Sequence, residues 1–234
     1  MPNPYFKFKQ FTIYHDRCAM KVGTDGVLLG AWANAQNIKN VLDVGTGSGL
    51  IALMLAQRNR DMLIDAIDID NDAVEQAGEN AMRSPFSSQI RCFNTSLQEY
   101  ALNCDRKYGL IVSNPPYFGE SLKPPRENRS VARHTDSLSV DELIKLSSKL
   151  LTFDGRLSVI YPFEYKNYLL EQDNLFVTRV TNVYPVPGSL PKRVLVEFSK
   201  QRSSLEENDL LIEKKRHIYS DEFISLAKDY YLKL

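Results

Sequence analysis

The sequence predicts an α/β fold in which a seven-stranded, mostly parallel sheet has helices on both faces and ends in an antiparallel hairpin. Three observations support this prediction. Strand-like apolar runs alternate with helical patterns, a glycine-rich loop follows the first run, and a link too short for a helix joins the last two. The chain has 234 residues and 43% hydrophobic content, enough to bury one core, which favours a single domain.

The elements follow one another regularly along the chain. Strands are predicted at 40–44, 63–68, 89–94, 108–113, 156–161, 175–184 and 193–199. Helices are predicted at 48–58, 72–82, 139–151 and 163–171. The charged stretch 200–217 indicates a surface connection, and Ser220 begins a short terminal helix. In such a sheet, which is Rossmann-like, ligands are expected beyond the carboxyl ends of the strands.

A glycine-rich loop follows the strand 40–44. It contains Gly45, Gly47 and Gly49 in the spacing G-x-G-x-G, with Asp43 two residues before the first glycine. Glycines there let the backbone approach a ligand closely, and the N–H groups that begin the next helix attract an anion. A dinucleotide usually needs G-x-G-x-x-G. The shorter spacing with its acid favours S-adenosylmethionine, whose carboxylate needs an N–H donor and whose ammonium needs an acid.

The next strand places an acid where a nucleoside ligand needs one. Asp68 ends the run 63–68 and can accept hydrogen bonds from both ribose hydroxyls. Asp70 and Asp72 are alternatives, although Asp72 is better placed to cap the following helix. We therefore predict that Asp68 binds the cofactor ribose and that Ile69 beside it is a further cofactor contact.

The segment 23–32 precedes the first sheet strand. Thr24 or Asp25 can cap the helix that contains ValLeuLeuGlyAlaTrp. In a functional interpretation this turn closes over the methionine end of the cofactor, with Thr24 and Asp25 as cofactor contacts and Asp25 as the partner of its ammonium. The alternative is a helix cap without a further role.

Asn114, Pro115, Pro116 and Tyr117 directly follow the apolar run 110–113. The two prolines end and stiffen that strand, which fixes the side-chain carbonyl of Asn114 and the backbone carbonyl of Pro115. Two such acceptors can take the hydrogens of a planar, conjugated NH2 group and aim its lone pair, while Tyr117 offers a face for stacking. The pattern favours methyl transfer to such an amine. The alternative is a turn that only closes the strand.

The charges balance, with 29 basic and 29 acidic residues, which argues against indiscriminate coating of nucleic acid. Basic residues are nevertheless concentrated in two segments, one of them interleaved with aromatic residues at the N-terminus. We expect them to contact phosphates and bases; the alternative is a solvated loop and hairpin. The predicted nucleic-acid contacts are Lys7, Lys9, Lys123, Arg126, Arg129, Arg133 and His134.

Three scattered cysteines, Cys18, Cys92 and Cys104, have no clustered histidines beside them, which predicts neither a disulfide framework nor a metal site. No segment approaches the ~20 apolar residues of a membrane span. We therefore expect a cytoplasmic protein with no membrane partner and no metal. A monomer is compatible with these features of the sequence.

With these segments identified, the chain resembles the class I S-adenosylmethionine-dependent methyltransferases that act on amino groups. More narrowly, the segments 9–33, 41–58, 113–118 and 132–139 resemble the bacterial tRNA-valine adenine-37 N(6)-methyltransferase family, and the similarity covers nearly the whole chain. The resemblance implies one methyltransferase domain, residues 1–234. Within it, 1–38 covers substrate and cofactor, 39–200 is the catalytic core and 201–234 is a C-terminal extension.

The resemblance also implies an activity and a set of contacts. The activity is methylation of the exocyclic amine of an adenine beside the anticodon of a valine tRNA. The implied cofactor contacts include Asp43, Gly45, Asp68 and Asn114, and the implied base contacts are Asn114, Pro115 and Tyr117. In one departure, Ser96 stands where related enzymes commonly place an Asp for the cofactor adenine. Serine is a weaker acceptor, and Ser96 and Leu97 are the predicted contacts there.

Two rival functions belong to other classes. The same corner can hold a glutamine amide, as in a protein methyltransferase acting on a translation factor, but only about forty residues precede Val41, whereas such enzymes usually carry an extra N-terminal domain. The second rival is a non-catalytic RNA-binding protein that retains the fold. The intact glycine loop, Asp68 and Asn114 argue against it.

Overall fold

A large mixed sheet runs through the residues described by the computed structural model, which are 3–115 and 138–234. In chain order the strands and helices of this part are β1 (Tyr5–Lys7), β2 (Thr12–Tyr14), α1 (Thr24–Trp32), β3 (Asn40–Val44), α2 (Leu50–Arg58), β4 (Leu63–Asp68), α3 (Asn71–Met82), β5 (Ile90–Asn94), α4 (Leu97–Asn103), β6 (Tyr108–Ser113), α5 (Val140–Leu150), β7 (Leu151–Pro162), α6 (Lys166–Leu170), β8 (Phe176–Tyr184), β9 (Arg193–Ser199), β10 (Glu206–Leu211), β11 (Glu213–Lys215), β12 (Ile218–Tyr219) and α7 (Asp221–Ala227).

The sheet has the strand order β10-β8-β9-β7-β6-β3-β4-β5. Strand β9 runs antiparallel to both β7 and β8, and the other neighbouring pairs of this sheet are parallel. The link 185–192 between β8 and β9 is too short for a crossover helix, so these strands pair antiparallel. The predicted α/β fold, mostly parallel with an antiparallel hairpin, is confirmed.

Within residues 3–115 and 138–234 the sheet has eight strands, one more than the seven predicted. Residues 200–217, predicted to be a surface connection, contain β10, which pairs in parallel with β8 at the sheet edge. The side-chain amide of Asn182 donates to the carboxylates of Glu207 and Asp209 at 3.1 and 2.9 Å. Charged side chains suit an edge strand because they discourage pairing with another chain. The same charge made the segment resemble a loop.

Two core layers cover the two faces of the sheet. Neighbouring residues of β3 illustrate them, because Val41 packs with α1, α2 and α7 whereas Leu42 packs with α5 on the other side. Successive side chains of a strand point to opposite faces, so a strand buried on both sides reads as one continuous apolar run. Helices therefore lie on both faces, as predicted.

Two predicted helix caps are wrong. The cap of α3 is Asp70, whose carboxylate accepts from the backbone N–H of Asp72 at 3.0 Å, and Asp72 lies inside the first turn. The cap position of α1 is Gly23, which makes no side-chain cap hydrogen bond, while Thr24 and Asp25 are the first two helical residues. Both helices begin earlier than the sequence indicated, because the preceding residue already has the extended backbone that a cap requires.

The carboxyl ends of four neighbouring strands lie level with one another. Val44 of β3 is in register with Ile67 of β4 and with Ser113 of β6, and Asp68 is in register with Asn94 of β5. The loops that follow these strands therefore meet at one edge of the sheet. Ligands of open parallel sheets bind at this edge.

Candidate active site

The glycine loop between β3 and α2 has three residues in the left-handed region: Gly45, Gly47 and Gly49 have φ values of +70°, +54° and +79°. L-residues with side chains rarely adopt this conformation, which explains the glycines. A Cβ atom on Gly45 or Gly47 would meet no atom of the described chain within 4 Å. The space above these two residues is therefore open to a ligand, as the predicted cofactor requires.

Asp68 lies at the end of β4 and is held against this loop. Its Oδ2 accepts from the backbone N–H of Gly47 at 2.9 Å, and its Oδ1 accepts from the N–H of Asp70 at 3.0 Å. A carboxylate oxygen has a second lone pair, so both oxygens can still accept from hydroxyl groups. This arrangement aims the carboxylate and fits the predicted contact with a ribose.

Asp43 of β3 is fully buried at 0% exposure. Thr46 donates its hydroxyl to Oδ2 at 2.7 Å, whereas Oδ1 has no hydrogen-bond partner within the described ranges. Burial raises the pKa of Asp43 to about 7, and the Thr46 bond and the nearby Ala52 amide oppose this shift. A buried carboxyl with an unsatisfied oxygen fits either a proton or a cationic ligand group nearby, such as the predicted ammonium.

The predicted amine-binding corner begins directly beside the glycine loop. Strand β6 ends at Ser113, whose hydroxyl donates to the carbonyl of Val44 at 2.9 Å, so the next residue of each strand, Asn114 and Gly45, stands at the same level. Asn114 is half-buried and Pro115 is buried. Pro116 and Tyr117 lie outside the described residues, and the stacking role of Tyr117 stays a prediction.

The start of α1 is tied to the β8–β9 hairpin. Asp25 accepts from Nε of Arg193 at 2.7 Å, and both side chains are partly exposed. Thr24 is exposed. The structure therefore gives Asp25 a protein partner that sequence analysis did not anticipate, and its contact with a cofactor ammonium stays a prediction.

Three further predicted cofactor contacts, Ile69, Ser96 and Leu97, differ in their exposure and hydrogen bonds. Ile69 is 66% exposed beside Asp68, where it is open to a ligand. Ser96 caps α4, its hydroxyl accepting from the N–H of Glu99 at 3.1 Å, and Leu97 is buried in the core. The hydroxyl hydrogen of Ser96 can still be donated to a ligand acceptor. Helix α4 itself was not predicted, since its seven residues fall between two strands.

The two described basic residues of the predicted nucleic-acid set lie near the N-terminus. Lys7 is exposed on β1, and Lys9 donates Nζ to the carbonyl of Lys228 at 2.6 Å. Lys9 therefore ties the N-terminal hairpin to the chain after α7. The remaining members of the set lie outside the described residues; they are Lys123, Arg126, Arg129, Arg133 and His134.

Several residues that support the site were missed by sequence analysis. Asn94 donates Nδ2 to the carbonyls of Asp68 and Ile69 at 3.1 and 3.0 Å, which fixes the backbone at the end of β4. Thr46 donates its hydroxyl to the carboxylate of Asp43 and so fixes that side chain. The only available signal was position, since Asn94 ends a predicted strand and Thr46 stands between two glycines.

The structure brings the described parts of the two predicted sites to one edge of the sheet. Asp68 carries carboxylate acceptors beside the open backbone surface of the glycine loop. Asn114 and Pro115, whose carbonyl groups are the predicted acceptors for an amine, follow the neighbouring strand. Among residues 3–115 and 138–234, no group of three or more His, Cys, Asp or Glu side chains could hold a metal ion. No helix in this part of the chain has the length and apolar character of a membrane span.

Comparisons with known proteins place the chain among methyltransferases. A family model described as methyltransferase small domain matches residues 20–173. Two curated relatives bear the name tRNA1(Val) (adenine(37)-N6)-methyltransferase. The one from Parabacteroides distasonis is 52% identical with 100% of each chain covered. The one from Trichodesmium erythraeum is 49% identical, covering 97% of this chain and 98% of the relative.

Solved structures show the same fold at low identity. A predicted O-methyltransferase from Agrobacterium tumefaciens superposes with a TM-score of 0.66 at 18% identity, covering 88% of this chain and 96% of that one. A ribosomal protein L11 methylase from Lactobacillus delbrueckii subsp. bulgaricus gives a TM-score of 0.52 at 19% identity, covering 76% of this chain and 77% of that one. At such identities the likeness concerns the fold alone.

Proposed function

Because this chain belongs to the methyltransferase small domain family and to the tRNA1(Val) (adenine(37)-N6)-methyltransferases, we propose that it methylates N6 of adenine 37 in a valine tRNA. The methyl donor is S-adenosylmethionine. Two relatives with this name are 52% and 49% identical to the chain over nearly their whole length, which supports the choice of this tRNA as substrate. A tRNA substrate also leads us to propose a cytoplasmic location.

The observation that carries the proposal is the position of Asn114. The register of β3 with β6 brings the first residue of the amine-binding corner level with the first glycine of the cofactor loop. An amine held at Asn114 and Pro115 therefore lies beside the place where the cofactor loop holds its ligand. Positioning of the two reactants in this way is a large part of the rate enhancement in group transfer.

Asn114 and Pro115 act as acceptors. The two hydrogens of the adenine amine bond to the Asn114 side-chain carbonyl and to the Pro115 backbone carbonyl, which draws the nitrogen lone pair out of conjugation with the ring. Bound S-adenosylmethionine supplies an electrophilic methyl group. The extra proton would leave the nitrogen for water only after the C–N bond has formed and the methyl–sulfur bond has broken, so the corner needs no strong base.

The remaining residues of the proposed site bind the methyl donor. Asp68 accepts hydrogen bonds from the ribose hydroxyls. The backbone N–H groups of Gly47 and Asp70 hold its carboxylate in the orientation that this requires. Gly45 and Gly47 leave room for close approach of the donor. Bases of an anticodon loop are unpaired, so moving one into a pocket costs less than extrusion from a duplex.

The proposal is tested with purified protein, labelled S-adenosylmethionine and an unmodified valine tRNA transcript, followed by digestion and nucleoside mass analysis. We expect one methyl group per tRNA, found in N6-methyladenosine. A matched transcript with guanine at position 37 should remain unlabelled. Methylation of that transcript, or label found only in protein when a cell extract is added, contradicts the proposal.

A further inference from the structure

Asn80 of α3 is a fully buried amide, 0% exposed, and all its described hydrogen bonds go to the backbone of two distant segments. Its Oδ1 accepts from the N–H of Tyr14 at 3.0 Å. Its Nδ2 donates to the carbonyl of Tyr14 at 2.8 Å and to the carbonyl of Ser48, in the glycine loop, at 2.9 Å. One side chain therefore joins the N-terminal segment to the cofactor loop.

The chain after Tyr14 continues along α3 toward the proposed cofactor site. The guanidinium of Arg17 pairs with Glu79 at 2.6 Å and with Glu75 at 3.4 Å, and its backbone N–H bonds to Gln76 at 3.3 Å. Burial raises the pKa of Cys18 to about 11, and the charges of Asp68 and Asp70 add to this shift. The segment from Tyr14 to Arg17 thus follows α3 from Asn80 back toward Glu75.

The glycine loop packs on the same face of α3. A Cβ atom on Gly49 would lie 3.2 Å from Cβ of Ala77, one helical turn before Asn80. The loop and the N-terminal segment are therefore both seated on one stretch of α3. In the buried interior their carbonyl groups need partners, and the amide of Asn80 supplies both.

We propose that Asn80 is a positioning residue for binding of S-adenosylmethionine, which it promotes by locking the glycine loop to the segment 14–18. This inference rests on the proposed use of that donor. Asn80 does not touch the reacting atoms. It fixes the Ser48 peptide between Gly47 and Gly49, and with it the direction of the loop N–H groups, while it holds the N-terminal segment against α3.

The test compares Asn80→Ala with Gln89→Ala by calorimetric titration with S-adenosylmethionine and by transfer kinetics. Gln89 is a matched control because it is also buried, at 6% exposure, and its amide donates to the backbone carbonyls of Asn59 and Met62 at 2.8 and 3.0 Å, away from the glycine loop. We expect Asn80→Ala to raise the donor Kd and KM about tenfold or more. Its kcat at saturating donor should stay within about twofold, since Asn114 is untouched. Gln89→Ala should lose stability but keep the wild-type Kd.

A folded Asn80→Ala protein with wild-type donor affinity overturns the inference, as does an equal rise in Kd for Gln89→Ala. If Asn80→Ala does not fold, hydrogen exchange of the wild type decides. Donor addition should then slow exchange of the Tyr14 amide, and unchanged exchange overturns the inference. If the wild type binds the donor but methylates no tRNA, the proposed function fails while the binding comparison still tests Asn80.

Discussion

We propose that Asn114 serves the reaction and Asp68 serves donor binding. Asn114 directly follows β6, where its carbonyl is proposed to accept from the substrate amine, whereas Asp68 ends β4 and accepts from the glycine loop. The two residues belong to different segments of the sheet edge. Their substitutions should therefore affect different steps.

Asn114→Ala is expected to lower kcat by about a hundredfold or more, because it removes a positioned acceptor that acts on the amine. Its donor affinity should stay close to that of the wild type. Single-turnover transfer to the valine tRNA transcript and donor titration measure the two quantities. A variant that keeps a near-normal transfer rate would show that the corner is not needed.

Asp68→Asn is the contrasting variant. It keeps the size of the side chain but replaces a charged acceptor with an amide whose NH2 group cannot accept from Gly47 or from a ribose hydroxyl. We expect the donor Kd to rise about tenfold or more, with kcat changed less than in Asn114→Ala. Titration would contradict this expectation if donor affinity were unaltered.

Asp43 should make folding stability depend on pH. Burial raises the pKa of Asp43 from its ordinary 3.8 to about 7, so the folded state holds the proton more tightly than the unfolded chain. The stabilising contribution is complete below pH ~4 and is lost as pH rises through about 7. The side chain in the Asp43→Asn variant is neutral at every pH, so the variant does not lose this stabilising contribution as pH rises. Urea unfolding at pH 5 and pH 8 should show the wild type losing more stability than the variant, and parallel profiles would refute the prediction.

At the scale of elements, the turn between β3 and α2 exists because three glycines accept a left-handed backbone. The turn places the beginning of α2 beneath the open space that the donor is proposed to fill. Helix α3 supports this turn from below through Ala77 and Asn80. The proposed cofactor site is thus a loop held between two helices.

Gly47→Ala tests whether this open space is occupied by the donor. Gly188 in the β8–β9 link is a matched control, because it also has positive φ, +74°, and equally open surroundings. Each substitution should cost about 1 kcal/mol of stability through the left-handed backbone. Only Gly47→Ala should weaken donor binding, by about tenfold or more. Equal donor affinities in the two variants would place the donor elsewhere.

At the scale of the whole molecule, the C-terminal chain is part of the core. Phe223 of α7 is buried in the same cluster as α1 and α2, and its ring packs against Tyr219 and Tyr231. The hairpin at the N-terminus reaches the same cluster through Phe8. Both ends of the described chain therefore stabilise the face of the sheet that carries α2.

Phe223→Ala is expected to lower the free energy of unfolding by about 3–5 kcal/mol, the usual cost of emptying a buried aromatic site. Leu232→Ala, at a side chain 52% exposed, should change it by less than about 0.5 kcal/mol. Urea denaturation of both variants provides the measurement. Equal small changes would mean that α7 is not required for the core.

Several expectations were accessible from sequence because they depend on neighbouring residues. The strand before Asp43 and the strand before Asn114 are apolar runs with an abrupt polar end, and that pattern needs no knowledge of the remaining chain. The cap of α3 was assigned to the wrong aspartate because Asp70 and Asp72 are chemically equivalent. Only the backbone geometry of the turn distinguishes them.

The glycine turn and most strands and helices between residues 40 and 199 were determined by the sequence itself, since local burial patterns and backbone preferences act over a few residues. The tertiary structure alone decided that β10 completes the sheet, that Arg193 meets Asp25, and that Asn80 joins Tyr14 to Ser48. These contacts join segments far apart in the chain. A hydrogen bond between them forms only when packing has brought both partners into the same buried place, which no local pattern records.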